Sequence, residues 1–128
     1  MALVTGANTG IGRAIARRLL DEGWALAYAT HRRDAGARET LESLATRGTV
    51  HWTAGDLADP EVPARLVAEA REALGPVDAL VNNAGITVAI PALEGTAEDF
   101  DRIFAIDVRA AFLLARAAAP DMLERGGA

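Results

Sequence analysis

Cysteine and lysine are both absent from the 128-residue chain, and serine and tyrosine occur once each, as Ser43 and Tyr28. Without cysteine there is neither a disulfide framework nor a thiolate metal site, and His31 and His51 are too few and too scattered for a zinc centre, so no metal is expected. Without lysine, any chemistry that needs an ammonium group is excluded from these residues. Arginine supplies all 13 basic side chains, and it has a different donor geometry and does not relay protons. No apolar run reaches the length of a membrane span, and Thr5 and Gly6 interrupt the first apolar stretch before it can serve as a leader. A cytoplasmic protein with no membrane partner is the expectation. The formal charge of −5 comes from interleaved acids and bases, and without a basic stripe nucleic acid is not an expected partner.

What is present is enough apolar material, 51% of the residues, for the core of a single domain spanning 1–128. Short apolar runs alternate with segments of helical period, the pattern of repeated strand-helix units around a parallel sheet. The first strand is read over Met1–Thr5, with an abrupt start, and a glycine-rich turn follows it. The first helix carries Ile11, Ile15 and Leu19 on its buried face, with Ala14 beside them, and stops at Gly23. A strand over Trp24–Thr30 leads to a helix built on Ala37, Leu41 and Leu44 that ends near Gly48, and a third strand covers Val50–Thr53. Asp59 as cap and Pro60 at the first helical position open the third helix, whose buried stripe is Val62, Leu66, Ala70 and Leu74. Gly75 and Pro76 end it, and Val77–Val81 forms a fourth strand apolar enough to be buried on both faces. Thr96 caps a last helix over Ala97–Glu124. Between Ala110 and Ala119 that helix is apolar on nearly every side, which predicts burial against a partner and a homo-oligomer formed through it.

The turn Thr5-Gly6-Ala7-Asn8-Thr9-Gly10-Ile11-Gly12 lies between a strand and a helix, the setting in which glycines carry a dinucleotide pyrophosphate. Gly6 permits the tight turn, Gly10 lets backbone approach phosphate, and Gly12 allows close packing of the helix, whose N-terminus meets the anion. An ordinary loop with glycines at positive φ is the alternative. A second motif, Asn82-Asn83-Ala84-Gly85, ends the fourth strand. With these two motifs the chain resembles the short-chain dehydrogenase/reductase family over essentially its whole length.

The resemblance implies a Rossmann-type α/β fold, a doubly wound parallel sheet, here truncated after the fourth strand and its following helix. Within the family's strand order the fourth strand then becomes an edge, and the closing residues 124–128 correspond to the loop leading to a fifth strand, so a partial gene product is expected. The resemblance also implies a dinucleotide partner. Its candidate contacts are Gly6, Asn8, Thr9, Gly10, Ile11 and Gly12 in the first turn, Asn82, Ala84 and Gly85 in the second, and Asp56 with Leu57 at the adenine. Asp56 is alternatively a turn residue bonding its own backbone. Thr30 stands where an acidic residue would select NAD, and Arg32 and Arg33 follow, suited to a 2′-phosphate. NADP(H) is therefore preferred. NAD(H) stays open because Thr9 replaces the basic residue that other NADP-dependent members carry.

In the family a serine, a tyrosine and a lysine four residues after it assist hydride transfer between cofactor and a carbonyl or alcohol. Tyr28 and Ser43 lie in the wrong elements and lysine is missing, so these residues alone are expected to be inactive, with the small-molecule substrate pocket belonging to a complete parent. The family's catalytic asparagine falls at Asp107. Its spacing from Phe100, Ile103, Ala111 and Leu114 puts it on or beside the apolar face, unless the helix rotates it to water. The leading reading is an oxidoreductase of this family, present as its cofactor-binding part. A non-catalytic nucleotide-binding or association module is the second, and a remnant unable to fold is the third.

Overall fold

The structure is a computed structural model describing residues 1–126; Gly127 and Ala128, read above as part of the loop toward a fifth strand, lie outside the described residues. Strands β1 (Ala2–Thr5), β2 (Leu26–Thr30), β3 (Val50–Ala54) and β4 (Ala79–Val81) alternate with helices α1 (Gly10–Asp21), α2 (Ala35–Ala45) and α3 (Val62–Leu74). After β4 come α4 (Ala97–Phe104) and α5 (Ala110–Glu124), joined without a break by a π turn over Ala105–Arg109. All strand pairs are parallel and the order is β3-β2-β1-β4.

Period-two alternation in the central strands feeds two separate cores. Leu3, Ala27 and Ala29 face one layer, where Leu66, Val67 and Ala70 of α3 and Ala110, Leu114 and Ala118 of α5 cover them. Val4, Leu26, Tyr28 and Trp52 face the other, against Ala16 and Leu20 of α1 and Ala37 and Leu44 of α2. Leu66 and Leu114 are each 1% exposed; burial on that scale contributes about 1.5–3 kcal/mol per side chain. Asp121 ties α5 to the sheet end by accepting from the Val77 amide and from Arg71 Nε of α3, both at 2.9 Å. No helix among the described residues is long and apolar enough to cross a membrane.

Several element readings shift. The α1 stripe is Gly12, Ala16 and Leu20, with Ile15 and Leu19 half-buried. Ile11 is 74% exposed and Ala14 is exposed as well, because the small residues Gly12 and Ala16 let the helix sit close to the sheet on a face one residue round from the bulky one. β2 starts at Leu26, leaving Trp24 outside, and α2 ends at Ala45 with Thr46 as its C-cap, short of Gly48. α3 begins at Val62, because Asp59 spends its carboxylate on the Glu61 amide (2.9 Å) in a preceding turn, and Pro63 occupies the first helical turn. β4 is three residues, all half-buried, since it lies at the edge of the sheet. The Ala97–Glu124 helix keeps its limits and its Thr96 cap, with Asp99 completing a capping box, but is interrupted by the π turn. Asp107 lies inside that turn and is exposed rather than on a buried apolar face, because the side it shares with Phe104 and Val108 is itself turned to solvent.

Candidate functional site

Parallel strands deliver their C-terminal ends, and the turns after them, to one edge of the sheet. Thr5 closes β1 there. Its hydroxyl accepts from the amides of Asn83 (3.1 Å) and Ala84 (3.0 Å), drawing the turn after β4 against the turn after β1. Asn83 answers with its own amide group, donating to Thr5 O (3.0 Å) and Gly6 O (3.1 Å). Gly6 adopts φ +64, and a Cβ there would come within 2.9 Å of Ala84 Cα. At Gly12 a Cβ would lie 2.4 Å from both Gly6 O and Asn83 Nδ2. These two glycines are thus required by the packing of the two turns against each other.

Gly10 is different. Its φ is +49, yet a Cβ would meet nothing within 4 Å. It faces a cleft of about 670 Å³ bounded by the first turn, the ends of β2 and β3, the β4 turn and α4. Thr9 is the N-cap of α1 but makes no side-chain cap, and no acidic residue occupies the first turn, so the helix presents its N–H groups and positive end to the cleft. α2 and α4, by contrast, are capped by Asp34 and Thr96.

The cleft brings together Gly6, Asn8, Thr9, Gly10, Ile11, Gly12, Arg32, Asp56, Leu57, Ala84 and Gly85 from the sequence-derived candidates. The exposure of Ile11 is explained by this position at the cleft wall. Three other candidates lie elsewhere. Arg33 is turned away, donating to Trp52 O at 2.8 Å with its guanidinium 4.9 Å from the Trp52 ring centroid. Asn82 braces α5 by donating to Ala111 O (3.2 Å). Asp107 accepts from the Ile86 amide (3.0 Å) outside the cleft lining.

Asp56 takes both roles considered for it. One oxygen accepts from the Ala58 amide at 3.0 Å, an aspartate turn, while the other faces Arg102 at 3.4 Å and the side chain lines the cleft. The Ala58 amide holds its pKa below the usual carboxylate value; partial burial opposes this, and the nearby Arg102 and His31 assist. Sequence reasoning missed Asn83, His31, Gly55, Ile86, Arg102 and Ile106 as lining residues, while Thr30, read as the position that selects between NAD and NADP, does line the cleft. Asn83 was legible within its motif, whereas nothing local announces Arg102, which meets Asp56 across 46 positions.

The isolated tyrosine and serine are not placed for chemistry here. Tyr28 is fully buried, donates to Ala37 O (3.1 Å), and has its pKa pushed up to about 12, chiefly by that burial. Ser43 lies on α2, away from the cleft. No group of three or more acidic or imidazole side chains among the described residues is placed to hold a metal.

The profile of the family described as short chain dehydrogenase matches residues 1–128. The chain belongs to the short-chain dehydrogenase family. It is 40% identical over 129 residues to versicolorin reductase 1 of Aspergillus parasiticus, covering 98% of this chain and 48% of that protein. Among solved structures it superposes on L-sorbose reductase from Gluconobacter frateurii, complexed with NADPH and L-sorbose, with a TM-score of 0.90 at 34% identity, covering 98% of this chain and 48% of that one. A blue fluorescent protein from a metagenomic library, in complex with NADPH, gives a TM-score of 0.84 at 39% identity over 94% and 50% of the two chains. This short-chain dehydrogenase chain spans about half the length of the curated relatives it matches. Its Rossmann-type sheet and its two interlocked turns are the parts of the family fold it carries.

Proposed function

We propose that this chain is the cofactor-binding part of an NADP(H)-dependent oxidoreductase that interconverts a carbonyl and an alcohol. The observation that carries the reading is the uncapped N-terminus of α1 opening, at Gly10, onto a cleft with Arg32 on its wall. A pyrophosphate fits this donor set: backbone N–H groups, the positive end of a helix and no side chain in the way. When bound, the nicotinamide group supplies or accepts the hydride. This chain's residues hold the adenosine half. Gly10, Ile11 and Gly12 offer their amides to phosphate, Asp56 and Leu57 border the base, Ala84 and Gly85 flank the ribose, and Arg32 meets a 2′-phosphate.

The absence of lysine, the burial of Tyr28 and the location of Ser43 all support assigning proton transfer to residues of a longer protein, so that this chain alone binds without turnover. Binding of NADP⁺ and NAD⁺, measured by isothermal titration, tests the reading. Saturable binding of NADP⁺ in preference to NAD⁺ is expected, and a folded chain that binds neither overturns it.

The chain also associates with a second copy in this proposal, and the support is a row of exposed apolar side chains on one helical rod. Phe100, Phe104, Val108 and Phe112 are 58%, 48%, 54% and 65% exposed, and the first two rings stack with centroids 4.3 Å apart. Light scattering across a concentration series tests this, with a strictly monomeric chain as the contrary result.

A further inference from the structure

Residues 31–34 connect β2 to α2, and both ends of this loop are fastened to one side chain on β3. Trp52 is 8% exposed and its ring packs at 6.2 Å from Tyr28, so its indole N–H must find a partner inside the protein. It donates to the Thr30 hydroxyl at 2.9 Å. Having accepted that bond, the hydroxyl turns its own proton to the Arg32 carbonyl, 3.0 Å away. At the far end Arg33 lies over the Trp52 ring and donates to the Trp52 carbonyl. Asp34 then caps α2 through the Ala37 amide at 2.9 Å. The backbone of the loop is therefore set from Trp52, through a hydroxyl at one end and a cation–π contact at the other.

The consequence falls on Arg32. Its carbonyl is held by Thr30, which sets the backbone from which its side chain projects, and its guanidinium has no ion pair or hydrogen bond among the described residues while it lines the cleft beside His31. Arg33 is already committed. Of the two adjacent arginines only Arg32 retains a full set of donors for a dianion, in the planar fork that matches phosphate oxygens.

We infer that Trp52 is a positioning residue: through Thr30 and Arg33 it holds the β2–α2 loop so that Arg32 selects a 2′-phosphorylated adenosine. This rests on the cofactor reading proposed above. It also separates the two arginines, one as the phosphate contact and the other as part of the loop's fastening.

The test uses the 128-residue chain with two probes that differ only in the phosphate at issue, adenosine 2′,5′-bisphosphate and adenosine 5′-monophosphate, titrated by calorimetry. Trp52→Phe keeps a ring beneath Arg33 and removes the N–H; Thr30→Val keeps the shape and removes the hydroxyl. Each variant is expected to lower the preference for the bisphosphate about three- to tenfold while leaving monophosphate affinity within about twofold. Arg32→Ala abolishes the preference, and Arg33→Ala reduces it only as far as Trp52→Phe does. The inference is overturned if Trp52→Phe and Thr30→Val both keep the full preference, if they weaken both probes equally, or if Arg33→Ala erases the preference as completely as Arg32→Ala. A folded parent chain that binds neither probe removes the cofactor reading itself, a result distinct from all of these. Far-ultraviolet circular dichroism on every variant shows which are folded, and Thr30→Val, which removes no ring from the core, reads the same hydrogen-bonded path should the tryptophan variant unfold.

Discussion

Gly10 and Gly12 sit two residues apart in one turn, yet the structure assigns them opposite constraints, and alanine at each separates fold from site. At Gly12 the added Cβ would lie 2.4 Å from Gly6 O and from Asn83 Nδ2. The carbonyl is backbone, and Asn83 cannot swing aside without giving up its bonds to Thr5 O and Gly6 O. Overpacking costs roughly 1–3 kcal/mol and each bond lost about 0.5–1.5 more, offset by about 0.5–1 kcal/mol from alanine's better helix propensity. With both Asn83 bonds given up, the net loss is about 1–5.5 kcal/mol. At Gly10 there is space, and the cost is the left-handed conformation alone, about 1–2 kcal/mol before the same offset. Differential scanning calorimetry on the two variants should show Gly12→Ala melting at least about 3 °C below the parent, and Gly10→Ala by clearly less. The dinucleotide titration should run the other way, with Gly10→Ala folded but impaired because its methyl enters the cleft. A Gly12→Ala protein that melts with the parent, or a Gly10→Ala protein that is the less stable of the two, refutes the reasoning.

Arg32→Ala should weaken NADP⁺ binding by about 1.5–3 kcal/mol and spare NAD⁺; equal loss for both cofactors in the same titration contradicts a 2′-phosphate contact. Asp121→Asn should cost about 0.5–1.5 kcal/mol in urea melts at pH 7. Burial pushes the Asp121 pKa up, but the bonds from Val77 and Arg71 and the neighbouring guanidinium charges carry it below the ordinary carboxylate value. A depressed folded pKa stabilises above the unfolded value of about 3.9 and ceases to do so as pH falls through the folded one, so the gap between parent and variant should close in melts at the acid end. A gap independent of pH would show that the charge plays no part. Phe112→Asp places a charge at a side chain already 65% exposed. It should leave the melting temperature nearly unchanged while shifting light-scattering mass toward monomer; an unaltered mass puts the contact elsewhere.

The architecture was legible because its signals are local. Alternation, turn glycines and the Asn-Asn-Ala-Gly segment located the strands and the edge of the sheet where the cleft lies. What escaped depends on orientation. A motif fixes the path of the backbone but not where each side chain goes, so Asn82 turns to α5, Asn83 to the first turn and Arg33 to Trp52. The α1 face was misread because apolar size pointed to Ile11 while close approach is possible only over Gly12 and Ala16. The Arg102–Asp56 pair and the Trp52–Thr30 bond join residues far apart in sequence, and they exist only once the sheet is assembled.

The π turn at Ala105–Arg109 has a consequence for how this part of the chain can vary. Substitution there changes one side chain. Deleting a single residue would let the turn close as ordinary α-helix, because a π turn holds one residue more than an α turn, and Ala110, Leu114 and Ala118 of α5 would still meet the sheet. The turn works like a vernier between two helical scales, a place where the rod can give up one residue and keep the face that α5 turns to the sheet.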